Sequence, residues 1–305
     1  MAEPRGQKEP ETILVTGATG FIGRELMEVL KERGQKVVGI SRGGGSVAGQ
    51  KAHAVDISDI AALKKFLKGK TFSQIYHLAA YVPNGKSEEE LERCARVNVI
   101  GTRNLLECAR MCGAKRFVYT SSYSVCNGKS RLGADESVMD PGNEYGVTKM
   151  VGELLCRRNG DPKMKVIILR FSSVYGPGQE PHFVLPRFMA QLKKCEEVVI
   201  WGDGKDSFDF LYVKDAAEAV VLAGSSTYEG VVNIGSGKET SVKRLAEDLV
   251  KMFPRAKIRF DRSKPSSGKR FCFDISRARK VLKFSPAYTL KAGLKEYKYH
   301  EELER

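Results

Sequence analysis

The chain has 305 residues, 42% of them hydrophobic, and a formal net charge of +14. That length accommodates one large α/β domain with a smaller lobe attached, and the apolar share is enough for a full core. No run of about 18 apolar residues occurs, so no membrane-spanning helix and no membrane partner are expected. The opening MAEPRGQKEPE is polar, and residues 1–10 are expected to be a short disordered lead-in rather than a secretion signal.

From Lys243 to Arg305 there are 18 Lys/Arg against 8 Asp/Glu, so +10 of the excess charge lies in the last fifth of the chain. A solvated basic surface accounts for most of it, and a lobe that handles an anionic small molecule is the functional reading. No aromatic-interleaved basic motif or zinc-finger spacing is present, so nucleic acid is not an expected partner. The seven cysteines form no C-x-x-C and the four histidines lie far apart in sequence. No metal site is expected; buried free thiols in a reducing cytoplasm are.

In chain order, TILVTGA reads as an apolar strand, and FIGRELMEVLKERG as a helix stopped at Gly34. KVVGISR is a second strand, HAVDISD a third, DIAALKKFLKG a helix, and SQIYHLAA a fourth strand. LERCARVNVIGTRNLLECARMCG reads as one long helix, and RFVYTSS and KVIILRFSS as buried strands with a helix carrying Tyr145 between them. This alternation implies a parallel sheet with helices on both faces. Beyond residue 173 the pattern is less regular. HFVLPRFMAQLKK is a helix, VVIWGDGKDSFDFLYVKD a strand, turn and strand, AAEAVVLAG a helix and GVVNIGSG a strand, and the tail LKAGLKEYKYHEELER is helical. The expected division is a dinucleotide-binding domain over 11–172 with return segments near 211–236. A substrate-binding lobe is expected from 173–210 and 237–305.

ILVTGATGFIG places Gly17, Gly20 and Gly23 between a strand and a helix within a βαβ unit. Gly17 permits the tight turn, Gly20 lets the backbone approach a pyrophosphate, and Gly23 lets helix and strand pack closely. With Thr19, Phe21 and Ile22 these residues form the expected phosphate cradle at a helix N-terminus. The second strand ends in Ser41 and Arg42 where an acid would repel a 2′-phosphate. A hydroxyl and a cation favour NADP(H) over NAD. Asp56, followed by Ile57, is placed to contact the adenine or to cap the next helix.

These motifs, with YTSS on a strand and Tyr145 and Lys149 four apart on a helix, resemble the extended short-chain dehydrogenases/reductases, in their nucleotide-sugar epimerase/dehydratase/reductase branch. The resemblance covers nearly the whole chain through HLAA, VNVIGTRNLLE, YGVTK, LRFSSVYGPG, GDGKDSFDFLYVKD and VNIGSG. It implies a Rossmann-type doubly wound parallel sheet with a smaller C-terminal substrate-binding lobe. It implies Tyr145 as acid/base, Lys149 as the cation that stabilises its phenolate and holds the nicotinamide ribose, and Ser122 as the hydroxyl on the substrate oxygen. Ser121 and Ser124 are the lesser candidates. Leu78, Ala79, Ala80, Asn98 and Phe171 are implied beside the cofactor. A homodimer built from the NVIGTRNLLECARM helix and the Tyr145 helix is a further implication.

The chain also departs from the family. Tyr123 and Ser124 stand where the 4,6-dehydratases carry an Asp–Glu pair, which argues against dehydration and decarboxylation. Ser173 replaces the usual Asn, Phe208 the Arg that grips the diphosphate, and Lys264 a second diphosphate Arg. Lys264 keeps the charge without the bidentate geometry; Phe208 either stacks a base or fills core. Arg262 lies close to Lys264, and Arg170, Arg187, Lys264, Arg270 and the basic tail remain as candidate anion receivers. The expected activity is hydride transfer at C4 of a nucleotide sugar, as a 4-epimerase or a 4-keto reductase. Two other readings stay open: an NADPH-dependent reductase of a ketone with no nucleotide, and a regulator that binds cofactor without turnover.

Overall fold

The computed structural model describes residues 12–126, 129–132, 139–158, 161–195, 197–253 and 255–303, so the lead-in expected over residues 1–10 lies outside the described residues. The first elements are β1 (Thr12–Thr16), α1 (Phe21–Glu32), β2 (Lys36–Ser41), β3 (Gly45–Val47), β4 (Gln50–Ala54), α2 (Ile60–Leu67) and β5 (Gln74–His77). There follow α3 (Glu88–Ala95), a π-helical segment (Arg96–Gly101), α4 (Thr102–Met111), β6 (Arg116–Ser122), a 3-10 turn (Tyr123–Cys126), β7 (Lys129–Leu132), α5 (Glu144–Arg157) and β8 (Lys165–Phe171). Then come β9 (Ser173–Tyr175), α6 (Val184–Cys195), β10 (Glu197–Trp201), β11 (Ser207–Tyr212), α7 (Val213–Ser225) and β12 (Gly230–Ile234). The last are β13 (Glu239–Ser241), α8 (Val242–Val250), β14 (Lys257–Asp261), β15 (Arg270–Phe273), α9 (Ser276–Leu282) and α10 (Leu290–Leu303).

Eight strands form the large sheet in the order β12-β8-β6-β5-β1-β2-β4-β3. All its pairs are parallel except the β3–β4 hairpin. Side chains alternate across each strand. Ile13 and Val15 of β1 enter one core with Leu26 and Leu30 of α1 and Ala216 and Val220 of α7. Leu14 enters the opposite core with Leu63 and Leu67 of α2 and Leu105 of α4. The sheet is therefore doubly wound. Strand order reverses beside β1, with β2 on one side and β5 on the other, which opens a crevice at the carboxyl ends of those strands. A third core lies apart, where Leu185, Phe188, Met189 and Leu192 of α6 meet Val198 and Ile200 of β10 and Leu245 and Leu249 of α8.

Three local expectations change. The long mid-chain helix is interrupted by the π-helical segment, where the Asn98 side chain bonds the Tyr81 backbone and Gly101 lies against Ile57. The third strand starts earlier, at Gln50, because Gly44, Gly45, Ala48 and Gly49 all adopt positive φ and close a hairpin before it. The cap of α2 is Asp59, whose Oδ1 accepts from Ala61 N and Ala62 N; Asp56 accepts instead from Ser58 N and Oγ. Cys94, Cys108, Cys112, Cys126, Cys156 and Cys272 are free and buried. Among the described residues no helix is long and apolar enough to cross a membrane, and no His/Cys/Asp/Glu group could hold a metal ion.

Candidate active site

The glycine turn sits at the crevice. Gly17 has φ of 71°, and a Cβ there would lie 2.7 Å from Ala79 N, so a side chain is excluded twice over. A Cβ on Gly23 would lie 2.0 Å from the Gly17 carbonyl oxygen. Gly20 is the N-cap of α1, makes no side-chain cap, and no acidic residue follows in the first turn. The first N–H groups of α1 are thus left for an anion, and the cradle fits a pyrophosphate. Phe21 and Ile22 pack toward the third core, while the Thr19 carbonyl accepts from Arg24 Nε.

Around the turn, Leu78 N donates to the Thr16 carbonyl and Ala79 N to Thr16 Oγ1, and Ala80 is exposed beyond them. Ile57 and Phe171 are buried, the latter at the end of β8. Ser41 is buried and its hydroxyl donates to the Gly44 carbonyl, so it is not presented to a ligand; Arg42 is exposed and forms no ion pair among the described residues.

Tyr145 and Lys149 share one face of α5, one helical turn apart. The helix begins at Asn143, whose side chain accepts from Gly146 N at 2.8 Å. Two glycines let α5 press onto β6 and the 3-10 turn after it: a Cβ on Gly146 would lie 2.2 Å from the Ser124 carbonyl oxygen, and one on Gly152 would lie 2.0 Å from the Tyr119 hydroxyl. Lys149 is 2% exposed, and its Nζ lies 4.3 Å from the centre of the Tyr119 ring. Burial pushes the Lys149 ammonium down to about 8, against smaller opposing influences of Cys156, Glu153 and Cys94. Burial also pushes the Tyr145 phenol above its ordinary range, and Cys94 and Tyr123 add to the shift. In the protein alone desolvation is the largest influence on both groups, and it favours the neutral form of each.

Ser122, at the end of β6, accepts from Ser124 N at 3.1 Å and donates to Ser124 Oγ at 3.2 Å. Ser121 is spent elsewhere, donating to Glu153 Oε1 at 2.6 Å. Asn98 is buried behind α5: its Oδ1 accepts from Tyr81 N, and its Nδ2 donates to the Tyr81 carbonyl and to Thr148 Oγ1.

The profile described as the NAD dependent epimerase/dehydratase family matches residues 13–235. The chain belongs to that family. Within it, the chain is an extended short-chain dehydrogenase/reductase, and it is an NAD(P)-dependent enzyme of the epimerase/reductase kind. A putative UDP-glucose 4-epimerase of Methanocaldococcus jannaschii is 34% identical over 93% of this chain and 96% of its own length. UDP-glucose 4-epimerase of Thermotoga maritima, solved with UDP-glucose, superposes with a TM-score of 0.87 at 28% identity, covering 96% of this chain and all of that one. UDP-glucuronic acid 4-epimerase of Bacillus cereus, solved with UDP-glucuronic acid and NAD, has a TM-score of 0.82 at 30% identity over 96% of this chain and 99% of its own.

Family positions on the substrate side are rearranged in this chain. Arg170 is not an anion receiver: it is 1% exposed and holds Glu153 with two bonds of 2.8 Å, from Nε to Oε1 and from Nη2 to Oε2. Arg270 pairs with Glu239 at 2.9 Å. Phe208 packs edge-on against Phe210 with ring centres 6.0 Å apart and joins the third core, so it serves packing. Ser173 opposes Phe210 in the β9–β11 pairing, and its hydroxyl meets the Tyr123 phenol, whose ring lies on Phe271. Burial raises the Tyr123 phenol above its ordinary value, against the smaller effect of Ser173.

Trp201 was not singled out in the sequence. Its exposed indole has the Arg187 guanidinium 3.8 Å and the Lys264 Nζ 4.1 Å from its ring. Neither cation forms an ion pair among the described residues. The other unforeseen residues act across elements, Gly146 and Gly152 through close packing and Glu153 through its bonds to Arg170 and Ser121, which no local pattern in the sequence reports.

Proposed function

We propose that this enzyme moves hydride at C4 of a nucleotide-linked sugar, as a 4-epimerase or a 4-keto sugar reductase and not as a 4,6-dehydratase. The observation that carries it is the set of Ser122, Tyr145 and Lys149, held by β6 and α5 at the same carboxyl edge of the sheet as a glycine turn that fits a pyrophosphate. A bound nicotinamide cofactor supplies the hydride acceptor or donor. Tyr145 exchanges the proton of the sugar hydroxyl, Ser122 bonds the same oxygen, and Lys149 stabilises negative charge on the phenol. Tyr123 and Ser124 offer no carboxylate for elimination of water. The cations Arg187 and Lys264 beside Trp201 supply an anion- and ring-binding surface, which supports a nucleotide diphosphate as the handle. Ser173 and Phe208 shape that side of the site, with the substrate lobe drawn from 173–210 and 237–305 and the cofactor domain from 11–172 with 211–236. A thermal-shift panel of UDP-, dTDP-, CDP- and GDP-sugars with each cofactor tests the reading. At least one sugar nucleotide raises the melting temperature; no shift with any of them removes the nucleotide-sugar assignment.

The proton inventory of Tyr145 and Lys149 predicts the pH dependence. The pair loses its first proton near the pKa of about 8 assigned to buried Lys149, whichever group formally gives it up. Alcohol oxidation needs the pair one proton short, so its kcat/KM rises through about pH 8. Ketone reduction needs the full complement, so its kcat/KM falls over the same interval. In Lys149→Met both limbs move to or above the ordinary phenol value of ~10. Profiles that stay put in that variant would reject the coupling.

The NADP(H) preference, and with it the reductase reading, rests on the exposed charge of Arg42 alone, because the Ser41 hydroxyl is bonded to the Gly44 carbonyl. Arg42→Ala is expected to raise the Kd for NADP(H) by about tenfold, the value of one charge-assisted contact, and to leave NAD(H) nearly unchanged. Equal changes for both cofactors, measured by titration, contradict it. We also propose a homodimer through the α4/α5 face. Ile100 and Met111 near α4, and Val147 and Leu154 on α5, expose apolar surface at helical spacing. Leu154→Glu with Met111→Glu is expected to convert a dimer to a monomer in light scattering; a wild-type monomer excludes the dimer. The free, buried thiols suit the cytoplasm proposed as its compartment.

A further inference from the structure

His77 closes β5 at the crevice and is 1% exposed, yet the chemistry proposed above does not use it. Its Nδ1 lies 2.8 Å from Thr16 Oγ1 and its Nε2 lies 2.9 Å from Thr102 Oγ1. The Thr102 hydroxyl donates to the Asn98 carbonyl at 2.7 Å, so toward His77 it can only accept. Nε2 therefore carries the proton. A neutral imidazole has a single N–H, so Nδ1 accepts and the Thr16 hydroxyl donates. Thr16 Oγ1 in turn accepts from Ala79 N at 3.2 Å, directly beside Gly17.

The chain from Thr16 ends on the Asn98 backbone carbonyl, and a second run starts from the Asn98 side chain, whose amide is oriented by Tyr81 N donating to its Oδ1. Its Nδ2 donates to Thr148 Oγ1 at 3.0 Å, and the Thr148 hydroxyl donates to the carbonyl of Tyr145 at 2.8 Å. Thr16, His77, Thr102, Asn98 and Thr148 are all buried. We propose that His77, neutral and protonated at Nε2, is a positioning residue: it carries a one-way hydrogen-bond chain from the cofactor turn to the Asn98 backbone, and so places the residue whose side chain anchors the helix bearing Tyr145 and Lys149. Its effect on turnover rests on the hydride-transfer reading; its tautomer does not. The surroundings keep it neutral: burial first, and the Lys149 charge second, push its pKa down to about 3. The Phe117 and Tyr119 rings, with centres 5.9 and 5.5 Å away, cover it.

The chain predicts an order among substitutions. Gln places its amide nitrogen near the position of Nε2 and can still donate to Thr102, whereas Asn mimics only Nδ1. His77→Phe, which makes neither bond, is expected to lower kcat by about 10- to 100-fold through misplacement of Tyr145. The sugar KM should move less than threefold. His77→Gln should recover most of that loss and His77→Asn little. Unchanged kcat in His77→Phe, or better recovery by Asn than by Gln, overturns the proposal. A second measurement requires neither activity nor a folded His77 variant. In the wild-type protein with labelled histidines, assigned by Gln substitutions of His53, His182 and His300, nitrogen NMR should show His77 as the Nε2–H tautomer, unchanged from pH 5 to 9. An Nδ1–H signal, or titration near the ordinary histidine value, refutes it even if the substrate assignment is correct. A protein that turns over no nucleotide sugar but shows this tautomer refutes the substrate reading alone.

Discussion

Tyr145→Phe is expected to lower kcat by on the order of 10³-fold, the middle of the range for losing a positioned acid/base. The substitution keeps the ring and removes only the hydroxyl. Burial already holds that hydroxyl as a neutral phenol, so its removal leaves no stranded charge. The packing that seats α5 involves Gly146 and Gly152 rather than the Tyr145 hydroxyl. Cofactor Kd and melting temperature should therefore stay near wild type while turnover collapses, and kcat and kcat/KM should fall together because the proton moves only in the transition state. Full activity in this variant ends the acid/base role for any substrate. A matching fall in cofactor affinity would instead show a binding role.

How much of this was legible from the residues differs by kind of interaction. The glycine turn, the alternation of strands and helices, and the spacing of Tyr145 and Lys149 are local patterns with local physical causes, and the structure reproduces them. The π-helical break at Arg96–Gly101 was not legible, because it is held by Asn98 reaching the Tyr81 backbone across a loop. The hairpin before β4 was hidden for a related reason: Ala48 adopts positive φ, which its residue type does not announce. On the substrate side the sequence showed which charges exist but not which are already paired. Arg170 and Arg187 looked equivalent there. One is locked to a carboxylate in the interior, and the other lies on an exposed indole.

That distinction leads to the largest expected effect on stability. Glu153 is fully buried one turn beyond Lys149, and it receives two bonds from Arg170 and one from the Ser121 hydroxyl. The three groups tie α5 to β6 and β8 (the elements that carry the candidate site). Arg170→Met removes the cation and leaves a carboxylate in the interior, which costs about 3–5 kcal/mol. Arg157, whose Nη2 lies 3.8 Å from Glu153 Oε2, can swing toward the stranded charge, so the lower end of that range is expected. Glu153→Leu together with Arg170→Met removes both charges and should recover most of the loss, because two uncharged side chains carry no desolvation penalty. Loss of an exposed pair such as Arg244–Asp248 should cost under about 1 kcal/mol and sets the scale. Urea denaturation of the three variants decides the matter. If Arg170→Met costs no more than the exposed pair, the buried contact does not hold α5. If the double variant is no more stable than Arg170→Met, the loss comes from disrupted packing rather than from an uncompensated charge.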